Sequence, residues 1–333
     1  MLLTAEMNNQ KKDFNLSSNI LKSYFSVEKF KELHFRIPLL FAIIYILNAA
    51  FISAYKGYVF YSENAYLTIA IIEIATVALP TMIYQRICKT APAFSSAKPF
   101  SPEKLIIVFL GAFAMIFGAI AITTLLSHLG IIQASHFTYT DITLPDMPSR
   151  LSSMLFASLT FALVPAFCEE ILCRGVIFAE YERYGTVFSV VLSTAFFSMM
   201  HFSLDKLPLY LFCGLVLGFL RAFTDSSLAS IIAHFIYNMF TLFYEQFLGA
   251  LTEQFSEFKI VFFITLLLCF LMLFFMFGEA DRIYNNYSRK NSHIEAIYKF
   301  IPKNSTKSTI TQIVCSPALW LCIILYIIFS LII

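Results

Sequence analysis

Nine long apolar runs dictate what this chain can fold into. They cover roughly residues 37–55, 65–84, 105–126, 151–183, 185–203, 207–223, 228–248, 258–277 and 317–333. A membrane-spanning helix needs about 20 mostly apolar residues, so each run is a candidate span. None alternates with period two, which argues against strands. Composition points the same way, with 59% hydrophobic and only 13% charged residues, against roughly 45–50% and about 25% in soluble domains. So much apolar surface cannot be hidden beneath a charged shell. An ordinary soluble enzyme, a disordered chain and a nucleic-acid binder are therefore excluded, and the near-neutral net charge of +2 implies no polyanionic partner. The expected fold is all-α, a polytopic integral membrane protein with about nine transmembrane helices. The fourth run is too long for one simple span. It is expected to break or bend near Pro165, because proline removes a helix hydrogen bond.

Lys and Arg set the orientation. With the N-terminus inside, the inner segments hold 18 of the 23 basic residues, and the outer ones hold Lys56, Arg150, Lys206 and Lys259. This is the bias of cytoplasmic loops. It predicts a cytoplasmic N-terminus and, with nine helices, an outer C-terminus. The polar start with Lys11 and Lys12 does not read as a cleavable signal peptide. With no organelle-targeting segment in view, a bacterial plasma membrane is the expected location. The organisation that follows is a cytoplasmic tail or interfacial amphipathic helix over 1–36, and a transmembrane bundle over 37–277. A cytoplasmic loop over 278–316 and a C-terminal helix over 317–333 complete it. Seven cysteines without a CxxC pair read as reduced packing residues.

An ionisable residue costs about 2.5–3.5 kcal/mol in the middle of a membrane helix, so it needs a reason. Most runs have none or one, whereas residues 165–238 have several. The fourth run carries Cys168-Glu169-Glu170-Ile171-Leu172-Cys173-Arg174, the fifth ends Phe197-Ser198-Met199-Met200-His201, and the seventh carries His234-Phe235-Ile236-Tyr237-Asn238. A helical hairpin turning near Tyr184-Gly185 brings Glu169 and His201 to similar depth. His234 and Asn238 are i,i+4 and share a helix face, and Glu170 and Arg174 are spaced for an ion pair. Glu169 points about 100° away from Glu170 and is free for another task. Glu73 is also intramembrane but has no evident partner in the sequence, and Asn48 reads as a packing residue.

This set suits hydrolysis. A carboxylate shielded from water can take a proton from a bound water molecule, with an imidazole opposite to orient it. A second His and an amide on one face can donate to a developing oxyanion. Glu169, His201 and His234 could equally hold one divalent metal such as zinc with an open position. Spacing leaves both routes open.

The order EExxxR, FxxxH, HxxxN resembles the CPBP family of CAAX-protease and bacteriocin-processing intramembrane proteases, also called Abi. The match spans a core of about 150–250, and Cys173 stands where many members carry Phe. The resemblance implies an all-helical bundle with a membrane-embedded site. Glu169 would activate water with help from His201, His234 and Asn238 would form the oxyanion hole, and Glu170 and Arg174 would hold the geometry. Members are often called metalloproteases, and a metal-free glutamate mechanism is also proposed for them. The expected activity is that of an intramembrane endopeptidase. Its partners are membrane lipids and a peptide or membrane-protein substrate, either prenylated or bacteriocin-like, and no nucleic acid. Two alternatives differ in class. A non-enzymatic scaffold or bacteriocin-immunity protein would be indifferent to loss of Glu169, and a proton-coupled carrier would show Glu169-dependent flux. The chain has no HExxH, GxGD or Gly-x-Ser-x pattern for the other intramembrane protease classes.

Overall fold

The computed structural model describes residues 33–55, 65–90, 93–132, 150–253, 258–290 and 311–332. Among them the chain forms nine helical units and no strand. Helix α1 is Leu33–Tyr55. Helix α2 runs through Ala65–Glu73, Ile74–Ala78 and Leu79–Cys88. Helix α3 is Leu105–His128, and α4 joins Arg150–Ala157, Ser158–Leu163, Val164–Glu170, Ile171–Ile177 and Phe178–Tyr181. Then follow α5 (Thr186–Met199), α6 (Leu207–Thr224), α7 (Ser227–Glu253), α8 (Phe258–Lys290) and α9 (Pro317–Ile332). Five of these units are long and apolar enough to cross a membrane. The protein is thus a polytopic helical membrane protein. The expected amphipathic segment before residue 33 and most of the 278–316 loop lie outside the described residues, although α8 itself continues past 277 to Lys290.

The fourth unit carries an irregularity beside Pro165. It does not break at Pro165 but stays helical from Arg150 to Tyr181. Two wide i→i+5 stretches, Ser158–Leu163 and Ile171–Ile177, absorb the irregularity. Pro165 falls near the start of the segment that follows the first, where its missing N–H is lost least. Helix α2 repeats the pattern, with a wide stretch Ile74–Ala78 just before Pro80. Such widened turns often mark functional sites, and the one at Ile171 begins one residue after Glu170.

Packing puts α4 inside the bundle. Its second half is fully enclosed from Ile171 to Phe178 and touches α5 and α7, while α6 packs on both α5 and α3. Helix α8 lies along α3, and α9 along α1. The peripheral helices turn bulky side chains outward, as Phe263, Phe270 and Phe274 of α8 do, which suits lipid contact. Gly185 turns α4 into α5 at φ 118, a conformation open to glycine. All seven cysteines are free thiols, five of them buried.

Candidate active site

Glu169 and Glu170 end the regular stretch Val164–Glu170, just ahead of the second wide turn. Successive helix positions lie about 100° apart, so the two carboxylates face different neighbours. Glu170 is fully enclosed. Its Oε1 accepts a hydrogen bond from Arg174 Nη1 at 2.7 Å and lies 3.2 Å from His234 Nδ1. Arg174, also fully enclosed, donates from Nη2 to the Gly214 carbonyl at 2.7 Å and lies over the Phe197 ring at 4.7 Å. An unpaired buried charge would be very costly. The Glu170–Arg174 pair is therefore tied to α6 and α7 as well as within α4.

Glu169 is held differently. Its Oε2 is buried without a hydrogen-bond partner and lies 4.0 Å from His201 Nε2. That gap is too long for a direct hydrogen bond and right for one atom bridging both. His201 follows α5, and its Nδ1 lies 3.0 Å from the Phe197 carbonyl. A carbonyl only accepts, so Nδ1 carries the proton and Nε2 faces Glu169 as an acceptor in the neutral ring. Tyr210 of α6 stacks on the other side of the imidazole, with centroids 3.9 Å apart.

His234 sits on α7 with its ring edge-on to Phe197, centroids 5.6 Å apart. Asn238, one turn on, donates from Nδ2 to the Ala162 carbonyl at 3.4 Å. The structure thus joins Glu169 to His201, and Glu170 to both Arg174 and His234, while Asn238 bonds to backbone on α4. Phe197 is the shared wall, touching Arg174, His201 and His234. Among the described residues no group of three or more His, Cys, Asp or Glu is arranged to hold a metal ion. Glu169, His201 and His234 do not form a ligand set as they stand.

A half-open cavity of about 520 Å³ reaches His201. Phe202, Ser203 and Asp205 line it, with Ser330 and Leu331 from the end of α9. The loop below is pinned from two sides. The Tyr45 hydroxyl of α1 donates to the Met199 carbonyl, and the Tyr326 hydroxyl of α9 donates to the Ser203 carbonyl at 2.8 Å. Phe202 adopts a left-handed φ of 47 in this loop, rare for a bulky residue.

Sequence reasoning missed Tyr210, Gly214 and Tyr326. Tyr210 and Tyr326 are among 17 tyrosines and 38 phenylalanines, and nothing local distinguishes an aromatic that stacks on His201. Gly214 carried a signal, being one of only ten glycines and lying within an apolar run. Glu73, partnerless in the sequence, lies on α2, which packs against α4. Asn48 accepts a hydrogen bond from Thr76 at 2.9 Å, in line with its reading as a packing residue.

Comparison with known proteins adds one finding. The family model described as Rce1-like, type II CAAX prenyl endopeptidase Rce1-like, matches residues 151–240, the segment from α4 to the Asn238 turn of α7. No curated protein and no solved structure matches the chain. Residues 151–240 are therefore similar to the Rce1-like family, in line with the resemblance of the three motifs to the CPBP family.

Proposed function

We propose that this integral membrane protein is an endopeptidase that hydrolyses a peptide bond of a membrane-associated substrate through Glu169-activated water, without a metal. The observation that carries the reading is the unpartnered Glu169 Oε2 facing His201 Nε2 across 4.0 Å. Both atoms are acceptors. A water between them donates one hydrogen to each and turns its lone pair outward, toward a carbonyl carbon. Attack transfers one water proton to Glu169. Collapse of the tetrahedral intermediate breaks the C–N bond, and Glu169 returns that proton to the leaving amine. Buried carboxylates and positioned water are worth far more away from bulk solvent than in it. Glu170 and Arg174 keep the helix in register. Asn238 donates to the oxyanion by rotating from the long bond to Ala162. His234, whose Nδ1 lies 3.2 Å from Glu170 Oε1, flanks the same oxyanion.

The substrate class is a peptide carrying a prenylated C-terminal tail, the kind named in the description of the matching family. The cavity beside His201 supports this reading by giving the imidazole an open approach. The excess of Lys and Arg in alternate segments supports a cytoplasmic N-terminus in a plasma membrane. The deciding experiment compares wild type with Glu169→Gln on a prenylated reporter peptide in detergent. The variant is expected to fold and insert normally yet lose about 10²–10⁴-fold in turnover. Full cleavage by that variant would remove Glu169 from the chemistry, and no cleavage by wild type would favour a scaffold role instead. Thorough chelation should leave wild-type activity intact, and loss that zinc restores would overturn the metal-free route.

A further inference from the structure

At the other end of the bundle from His201, the start of α1 meets the ends of α2 and α4. A second cavity of about 270 Å³ opens there, and the proposed reaction does not use it. Arg36, Thr90, Ser96, Glu180 and Arg183 are among its walls, and Gly175, next to Arg174 in the catalytic helix, forms part of its floor. Three charged groups face it. The Glu180 carboxylate accepts from Arg36 Nη2 on one oxygen and from the Tyr84 hydroxyl at 2.9 Å on the other, with Arg183 Nη2 at 3.9 Å. One carboxylate between two guanidiniums leaves a surplus positive charge. Arg36 Nε and Thr90 Oγ1 are buried without a hydrogen-bond partner among the described residues, although buried donors are ordinarily satisfied. The lining therefore carries one more positive than negative charge and two buried polar atoms with no partner among the described residues.

We propose that this cavity binds a phosphate group, as a lipid headgroup or as the free ion. Guanidinium forks match phosphate oxygens in pairs, and a tetrahedral group can meet Arg36, Arg183 and Thr90 from separate directions, which a planar carboxylate cannot. Basic pockets between helices at a membrane face are where headgroup phosphates are held. The inference is independent of the proteolytic reading, because it is tested without any peptide.

The test is thermal unfolding of the purified full-length protein in detergent, titrated with inorganic phosphate, with short-chain phosphatidylglycerol and with short-chain diacylglycerol. A bound ligand stabilises the folded state by mass action. Wild type should be stabilised by at least one phosphate-bearing probe and not by diacylglycerol. Response to phosphate alone assigns a soluble ion, and response to the phospholipid alone assigns a headgroup. Arg36→Gln would strand Glu180 and risk misfolding, so the informative variant is Arg183→Gln with Thr90→Val, which keeps the Arg36 and Tyr84 contacts to Glu180. It should need roughly tenfold more ligand for the same shift, since bonds to a charged group are the stronger kind. Arg86→Gln, on an exposed residue near the same end, should respond as wild type. The proposal is overturned if neither probe stabilises wild type, if the double variant responds unchanged, or if Arg86→Gln loses as much.

Discussion

Arg174 shows how little freedom single residues have in this bundle. Its two terminal nitrogens are committed to Glu170 and to the Gly214 carbonyl, and its face rests on Phe197. Removing one partner leaves the other charge buried alone, so Arg174→Ala should cost about 3–5 kcal/mol. The check is a large fall in the unfolding temperature of the purified protein, with a matching fall for Glu170→Ala. His201 should behave oppositely. It is part-exposed to the cavity and ends its helix, so His201→Gln is expected to leave stability near wild type and to reduce cleavage about 10²–10⁴-fold. A variant that unfolded without a specific kinetic defect would make His201 a packing residue.

At the scale of elements, the helices around Glu170 and Arg174 are held by close approach as much as by polar bonds. A Cβ built on Gly214 would lie 3.0 Å from Thr194 Cγ2 and 3.1 Å from the Phe197 ring. Gly214→Ala therefore requires Thr194 or Phe197 to yield by a few tenths of an ångström, beside the carbonyl that Arg174 uses. Overpacking of this kind costs roughly 1–3 kcal/mol, and the expected result is a lower unfolding temperature together with weakened catalysis. The widened turns of α4 illustrate what a run of letters conceals. Pro165 was a visible irregularity, but a kink and a wide turn satisfy the same missing hydrogen bond, and neighbouring helices select between them. Glu169, Glu170 and Arg174 were legible because charge within an apolar run is conspicuous whatever the packing.

For the whole molecule, the family-like segment does not stand alone. The loop that carries His201 is tied by Tyr45 of α1 and Tyr326 of α9, both outside residues 151–240. Tyr326→Phe removes one hydrogen bond, worth about 1 kcal/mol, at a loop whose Phe202 is already in a left-handed conformation. Cleavage should fall severalfold while global stability changes little. Unchanged cleavage would mean that α9 only packs against α1.

Long apolar runs and the few charges within them determined, from the sequence alone, a polytopic helical membrane protein, the helices that bear the candidate site and the residues most worth testing. Those conclusions rest on burial energetics and helical spacing, which act along the chain. Only the tertiary structure decided that Glu169 faces His201, that Glu170 serves both Arg174 and His234, and that Phe197 and Tyr210 enclose the imidazoles. The same holds for the second basic cavity. These contacts join residues up to 144 positions apart, as in Arg36 and Glu180. Their geometry depends on how helices rotate and slide against one another, which no local pattern encodes.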